Sequence, residues 1–115
     1  MEAIRKGAQM LLFKKKFLPA IRSGEKTQTI RLWKHRMMRD GQRSYVPGVG
    51  AIRILTVAQV ELPVLTDGDA IPDGFATADA LRHELAVIYG EKLAAGYRAF
   101  RVVFEVTEGK ANGEC

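Results

Sequence analysis

Cysteine is nearly absent from this chain of 115 residues: the single one, Cys115, stands at the last position. One thiol excludes an intramolecular disulfide and suits a reducing compartment, so the expected location is the cytoplasm. Histidine is equally sparse, and His35 and His83 are far apart. Without clustered ligands a dedicated metal site is not expected. No apolar run approaches the ~18 residues of a membrane span. The opening Met1-Glu2-Ala3-Ile4-Arg5-Lys6 lacks the apolar core and cleavage site of a signal peptide. No membrane partner or metal is therefore expected. No internal repeat or low-complexity linker divides the chain, which is long enough for one core without a disulfide or metal.

What is present is ordinary for a globular domain: 47% hydrophobic residues, 27% charged, and 11 glycines. Eighteen basic against thirteen acidic residues leave a net charge of +5. Such a balance favours anionic partners, nucleic acid among them, without requiring one.

Residues 10–107 are expected to form the domain, with flexible ends at 1–9 and 108–115. Met10 to Phe13 reads as a short apolar strand. Phe17, Ala20 and Ile21 recur at helical spacing, Pro19 suits a first turn and Gly24 a helix C-terminus, which predicts a helix from about Phe17 to Ser23. Thr27 to Leu32 follows as a strand. Trp33 to Pro47 is a long connection carrying Lys34, Arg36, Arg39 and Arg43, with turns at Asp40-Gly41 and Pro47-Gly48. Ala51 to Leu62 is rich in branched apolar residues and reads as the clearest strand. Pro63 to Thr77 is acidic and turn-rich. Thr77 caps a helix whose apolar face is Leu81, Leu85 and Ile88 and whose end is expected near Gly90. Tyr97 to Val106 closes the fold as a strand. The order implies an α+β domain with a mainly antiparallel sheet that curls into a small barrel.

The run Ser23-Gly24-Glu25-Lys26-Thr27-Gln28-Thr29-Ile30-Arg31 carries the most chemistry. On a strand, Thr27, Thr29 and Arg31 share one face, and Lys26 at the turn can swing onto it. A hydroxyl, an amine and a guanidinium then converge, enough for a nucleophile, a base and an anchor for a carbonyl or anion. The same pattern also describes a plain strand, since threonine favours strands and cations face water. Locally, the plain reading is the commoner one. Trp33 is expected to cap the core more readily than to stack a base. Phe75 is expected to plug the core and fix the loop holding Asp73. The spacing of Asp67, Asp69 and Asp73 does not match a calcium loop.

Taken with Ala70-Ile71-Pro72-Asp73-Gly74-Phe75 and the closing Phe100-Arg101-Val102-Val103-Phe104, the Gly-x-Lys-Thr-x-Thr-x-Arg run resembles the ASCH-domain family of the PUA-like superfamily. The resemblance spans about Leu11 to Glu105. It implies a small PUA-like β-barrel with two or three flanking helices, a cleft beside the first helix, and a link to RNA or modified nucleosides. The chain is similar in length and motif to a subgroup of small bacterial members that are metal-independent N4-acetylcytidine amidohydrolases. Matched by position, the resemblance implies Lys26 as base, Thr29 as nucleophile and Arg31 as substrate-binding residue. The family's glutamate falls opposite Asp73, a carboxylate one methylene shorter, and the basic 33–47 loop is longer than in compact members. The expected substrate is a modified cytidine nucleoside, with a possible RNA contact through residues 33–47, no cofactor, and a monomeric state. The alternatives are a non-catalytic RNA-binding module and, more weakly, a ribonuclease.

Overall fold

The computed structural model describes residues 10–107 of the chain, and the flexible ends expected at 1–9 and 108–115 lie outside the described residues. Four strands, β1 (Gln28–Trp33), β2 (Arg43–Val46), β3 (Gly50–Val60) and β4 (Arg98–Val106), form one antiparallel sheet in the order β1-β4-β3-β2. Three helices accompany it: α1 (Leu18–Ser23), α2 (Asp67–Ala70) and α3 (Ala78–Ala94). The α+β class read from the sequence is the one observed. No helix among the described residues is long and apolar enough to cross a membrane.

Alternation along the strands builds a core on each face of the sheet. Phe100, Val102 and Phe104 of β4 join Leu11, Ile21, Val46, Ile52, Ile54 and Val57 in one cluster. Ile30 and Leu32 of β1 join Ala99, Leu65, Ala70, Leu81 and Leu85 in the other, under α3. Trp33 packs on Phe100 with ring centroids 5.3 Å apart, as a cap on the first cluster.

Four expectations need correction. Met10 to Phe13 is not a strand: only Met10 makes an isolated parallel bridge to Tyr45, and Leu11 N donates to Tyr45 O at 3.0 Å. The segment is held by its side chains instead, Leu11 in the core and Phe13 against Phe104 at 6.0 Å. The 33–47 connection contains β2, and its middle is bound to the irregular part of β3. Beyond the register shift at Ile54/Thr56, Gly41 N and Ile54 N bond across to Ile54 O and Gln42 O at 2.7 and 2.8 Å. Asp40 accepts from Val57 N at 2.9 Å, and Arg36 donates to Val57 O at 2.8 Å. β2 pairs with β3 only as far as Arg53, and the loop supplies partners along the edge of β3 left open beyond it.

Helix α3 continues through Gly90 to Ala94 and stops before Gly96. An interior glycine costs about 1 kcal/mol relative to alanine, which tertiary packing readily overrides. Ile88 is 45% exposed, while Tyr89, four residues beyond Leu85, packs on the second cluster in its place. The acidic segment is also more ordered than a run of turns. Thr66 and Asp69 close a capping box on α2, Asp67 accepts from Ala78 N at 2.8 Å, and Thr77 caps α3 through Ala80 N at 3.1 Å.

Phe104 is 2% exposed and touches the segment leading into α1 through Phe13. Phe104→Ala is expected to lower stability by about 3–5 kcal/mol. Urea unfolding checks this, with a lowered midpoint at unchanged slope as the expected outcome.

Candidate functional site

β1 lies at the edge of the sheet, where the two clusters meet, and a cavity of about 330 Å³ opens there. Phe13 and Phe17 form its wall on the first-cluster side. Phe75, Leu81, Leu85 and Tyr89 form it on the α3 side. Lys26, Thr29, Arg31 and Asp73 all reach it.

Backbone geometry places these groups. Gly24 ends α1 at φ 86°, donating to Ala20 O and Ile21 O, a left-handed conformation that favours glycine. Lys26 N then folds back onto Ala20 O at 3.0 Å, which delivers the lysine to the head of β1. On the other side, Thr27 N bonds to Pro72 O at 2.8 Å and brings the 3₁₀ turn Ile71–Asp73 against β1. Gly74 follows at φ 96°, and a Cβ there would stand 3.5 Å from Lys26 Cδ. That is an ordinary contact, so the positive φ, and not a lack of room, is what favours glycine here.

Lys26 and Asp73 form a buried ion pair, Nζ to Oδ1 at 3.0 Å, with side chains 2% and 4% exposed. Nζ also donates to the Asp73 carbonyl. Three rings surround the ammonium: Phe17 at 4.9 Å, Phe13 at 5.7 Å and Phe75 at 5.9 Å to the centroids. Burial pushes the Lys26 pKa below its ordinary 10.5; the Asp73 carboxylate pulls the other way, and the Arg31 guanidinium adds to the lowering. Burial prevails, because it removes the solvation that favours the charged form. Arg31 donates through Nε to Thr29 Oγ1 at 3.1 Å and through Nη2 to Leu12 O at 2.7 Å, with Cζ 4.7 Å from the Phe13 centroid. The Thr29 hydroxyl thus accepts one bond and keeps its proton to give.

All four residues singled out from the sequence therefore line one cavity. Thr27 does not join them. It precedes β1 and lines instead a second cleft, with Ile21, Arg22, Gly24 and Lys26. Phe75 is half-buried and meets Phe17 edge-on at 5.8 Å, a wall of the cavity more than a plug. Asp69, in α2 just before that turn, is taken by Arg101 at 2.9 Å.

Sequence reasoning missed Gln28, whose Nε2 donates to Asp73 Oδ2 at 3.1 Å and Asp69 O at 2.9 Å from a position only 3% exposed. Its signal was available: Gln28, Ile30 and Leu32 occupy one strand face, a polar residue in an apolar row. Glu84 and Tyr89 of α3 were missed as well. Among the described residues, no three His, Cys, Asp or Glu side chains are placed to hold a metal ion.

Solved structures with this fold include protein EF3133 from Enterococcus faecalis V583, of family DUF984. It is 17% identical at TM-score 0.67, covering 86% of this chain and 79% of that one. The hypothetical protein PH0355 is 14% identical at TM-score 0.67, covering 84% and 95%. Protein PF0455 from Pyrococcus furiosus, solved by NMR in solution, is 17% identical at TM-score 0.64, covering 86% and 96%. The likeness is one of fold. No family model and no curated protein sequence matches the chain.

Removing one partner from a buried ion pair strands the other, at a cost of about 3–5 kcal/mol, whereas replacing both by apolar groups is often neutral. Lys26→Met should therefore destabilise strongly, and Lys26→Met/Asp73→Leu should recover most of the loss. The pH dependence has a definite sign. Between the lowered Lys26 pKa and 10.5, the unfolded chain holds a proton that the folded chain has released. Stability contributed here thus rises with pH across that interval. Denaturant unfolding at stepped alkaline pH should show the rise in the wild type and its loss in both variants.

Proposed function

We propose that the protein is a metal-independent amidohydrolase that removes the acyl group from N4-acetylcytidine and related N4-acylated cytosine nucleosides. The observation that carries this reading is the convergence of a pKa-lowered lysine, a threonine hydroxyl and an arginine at the floor of one aromatic-walled cavity. Amide hydrolysis needs a nucleophile, a proton acceptor that later acts as acid, and a stabiliser for the oxyanion. A cavity of about 330 Å³ is within the range of small-molecule sites, and its phenylalanines suit a flat heterocycle.

In the proposed reaction Thr29 Oγ attacks the acyl carbon, and its proton passes to the neutral Lys26 amine. Arg31, already bonded to that hydroxyl, stands beside the oxygen that gains the charge. Collapse breaks the C–N bond as Lys26 returns the proton to N4, releasing cytidine and leaving an ester on Thr29. Water then gives a proton to Lys26 and adds to the ester. Acetate leaves as Thr29 Oγ recovers its proton. Asp73, with one oxygen on Lys26 and the other on Gln28, orients the amine.

RNA binding without catalysis is the second reading, and one observation favours it. An open groove beside the cavity shares Arg31 and carries Trp33, Lys34, Lys92 and Tyr97, with both ammonium groups over the Tyr97 ring at 5.7 and 5.4 Å. Aromatic and cationic groups in a groove suit single strands.

Release of cytidine from N4-acetylcytidine by the purified protein is the direct test. Thr29→Ala is the cleaner variant, because Lys26 also carries the buried pair. It is expected to slow turnover by about two to three orders of magnitude with little change in unfolding midpoint. Wild-type turnover in Thr29→Ala would mean that Lys26 acts through water.

Lys34→Gln/Lys92→Gln separates the two readings. The enzyme reading expects unchanged nucleoside hydrolysis. RNA binding as the sole function expects weaker binding and a salt dependence flattened by about two charges, with no cytidine formed by the wild type.

A further inference from the structure

The cavity has a second polar pole that the amide chemistry leaves unused. Glu84 of α3 lines its wall and holds Lys14 Nζ at 3.1 Å on one oxygen and Lys16 Nζ at 3.7 Å on the other. Exposure orders the two poles. The Lys26 and Asp73 side chains are 2% and 4% exposed, Glu84 16%, and Lys14 and Lys16 49% and 59%. Lys26 and Asp73 are thus the floor, and Glu84 stands at the mouth beneath its lysines.

Those lysines do not exhaust Glu84. An ionised carboxylate offers about four acceptor positions; Lys14 takes one on Oε2 by a hydrogen bond, and Lys16, 3.7 Å from Oε1, makes an ion-pair contact. Counted over the described residues, at least one position per oxygen remains. The Lys14 hydrogen bond keeps the Glu84 carboxyl below its ordinary pKa, so the group accepts and does not donate.

In a cytosine ring the N4 amine and the N1 glycosidic bond project in opposite directions. With the acyl group at the floor, whatever N1 carries points to the mouth. We propose that Glu84 is a specificity-determining residue whose two carboxylate oxygens accept the vicinal hydroxyls of a ribose, so that ribonucleosides are the preferred substrates. This rests on the amidohydrolase reading above. A neutral diol supplies two donors to the two open positions. A phosphate in the same place would set a second anion against Glu84, and a 2′-deoxyribose would leave one acceptor without a partner.

The test compares kcat/KM for N4-acetylcytidine, its 2′-deoxy analogue and the free base N4-acetylcytosine. The proteins are the wild type, Glu84→Gln and Lys14→Gln. Hydrogen bonds to a charged group correspond to about 10- to 100-fold. The wild type should prefer the ribonucleoside to its deoxy analogue by that factor, and Glu84→Gln should abolish the preference through KM while sparing the free base. Lys14→Gln, which loosens the ion pair and keeps the carboxylate, should preserve the preference. An equal loss on all three substrates in Glu84→Gln would make the residue a structural tie and overturn the proposal. Turnover of the free base without ribose discrimination by the wild type would overturn it too, leaving the amidohydrolase reading intact. No turnover of any substrate would sink that reading and this one together.

Discussion

Lys26 and Asp73 stand 47 residues apart in the chain and meet at 3.0 Å with almost no exposure. Much of the surrounding structure follows from completing that contact. Taking an ion out of water costs several kcal/mol even after relaxation, in a domain whose total stability is of the order of 5–15 kcal/mol. Such a pair survives only if its remaining hydrogen-bonding positions are filled. The Asp73 carbonyl takes a second ammonium proton, Gln28 takes the second carboxylate oxygen, and three phenylalanine faces cover the rest of the charge. Two of the glycines at positive φ serve the same contact: Gly24 turns the chain to deliver the lysine, and Gly74 turns it directly after the aspartate.

The pair sits at the edge strand of the sheet, and that position explains the cavity. An interior strand is flanked on both sides, whereas an edge strand exposes backbone groups that must be covered. Here the head of β1 is met by Pro72 O. Arg31 reaches from β1 to Leu12 O and ties down the segment before α1. Leu12 to Phe17 on one side and α3 on the other therefore face each other across the edge, joined by Lys14, Lys16 and Glu84, and the space between them is the cavity. Because it lies between two separate clusters, its walls come from five parts of the chain and its chemistry from three.

How much of this was legible in the sequence depends on the range of the interaction involved. Thr29 and Arg31 share a strand face by period alone, and Gly24 marks the turn before them, so that part of the site needs only local rules. Asp73 was placed by counting along a resemblance, and the structure brings it onto Lys26. Gln28 was not seen because a single polar residue in a strand has no local consequence; its role exists only once Asp73 arrives from elsewhere. Glu84 was hidden in the same way, since on a helix it reads as one more solvated charge until Lys14 and Lys16 face it. The Met10 to Phe13 segment failed for the opposite reason: its apolar run is real, but Leu11 and Phe13 anchor it by packing and leave little for a ladder. Gly90 failed because a helix packed through Leu81, Leu85 and Tyr89 can carry one poor helix former past the point where local signals would stop it.

The same pair that stabilises the floor also sets a condition on any chemistry there. Lys26 serves as a base only when neutral, yet the carboxylate and the three rings around it favour the ammonium. Opposing them are desolvation and Arg31, both of which lower its pKa. A ligand filling the cavity excludes more water, which strengthens desolvation and every charge interaction inside it. Two of those oppose one another at Lys26: the Asp73 carboxylate, the stronger of them, holds the ammonium, and Arg31 repels it. The group that holds the floor together and the base of the proposed reaction are thus one and the same, so under that reading turnover draws on the neutral fraction that burial and Arg31 supply.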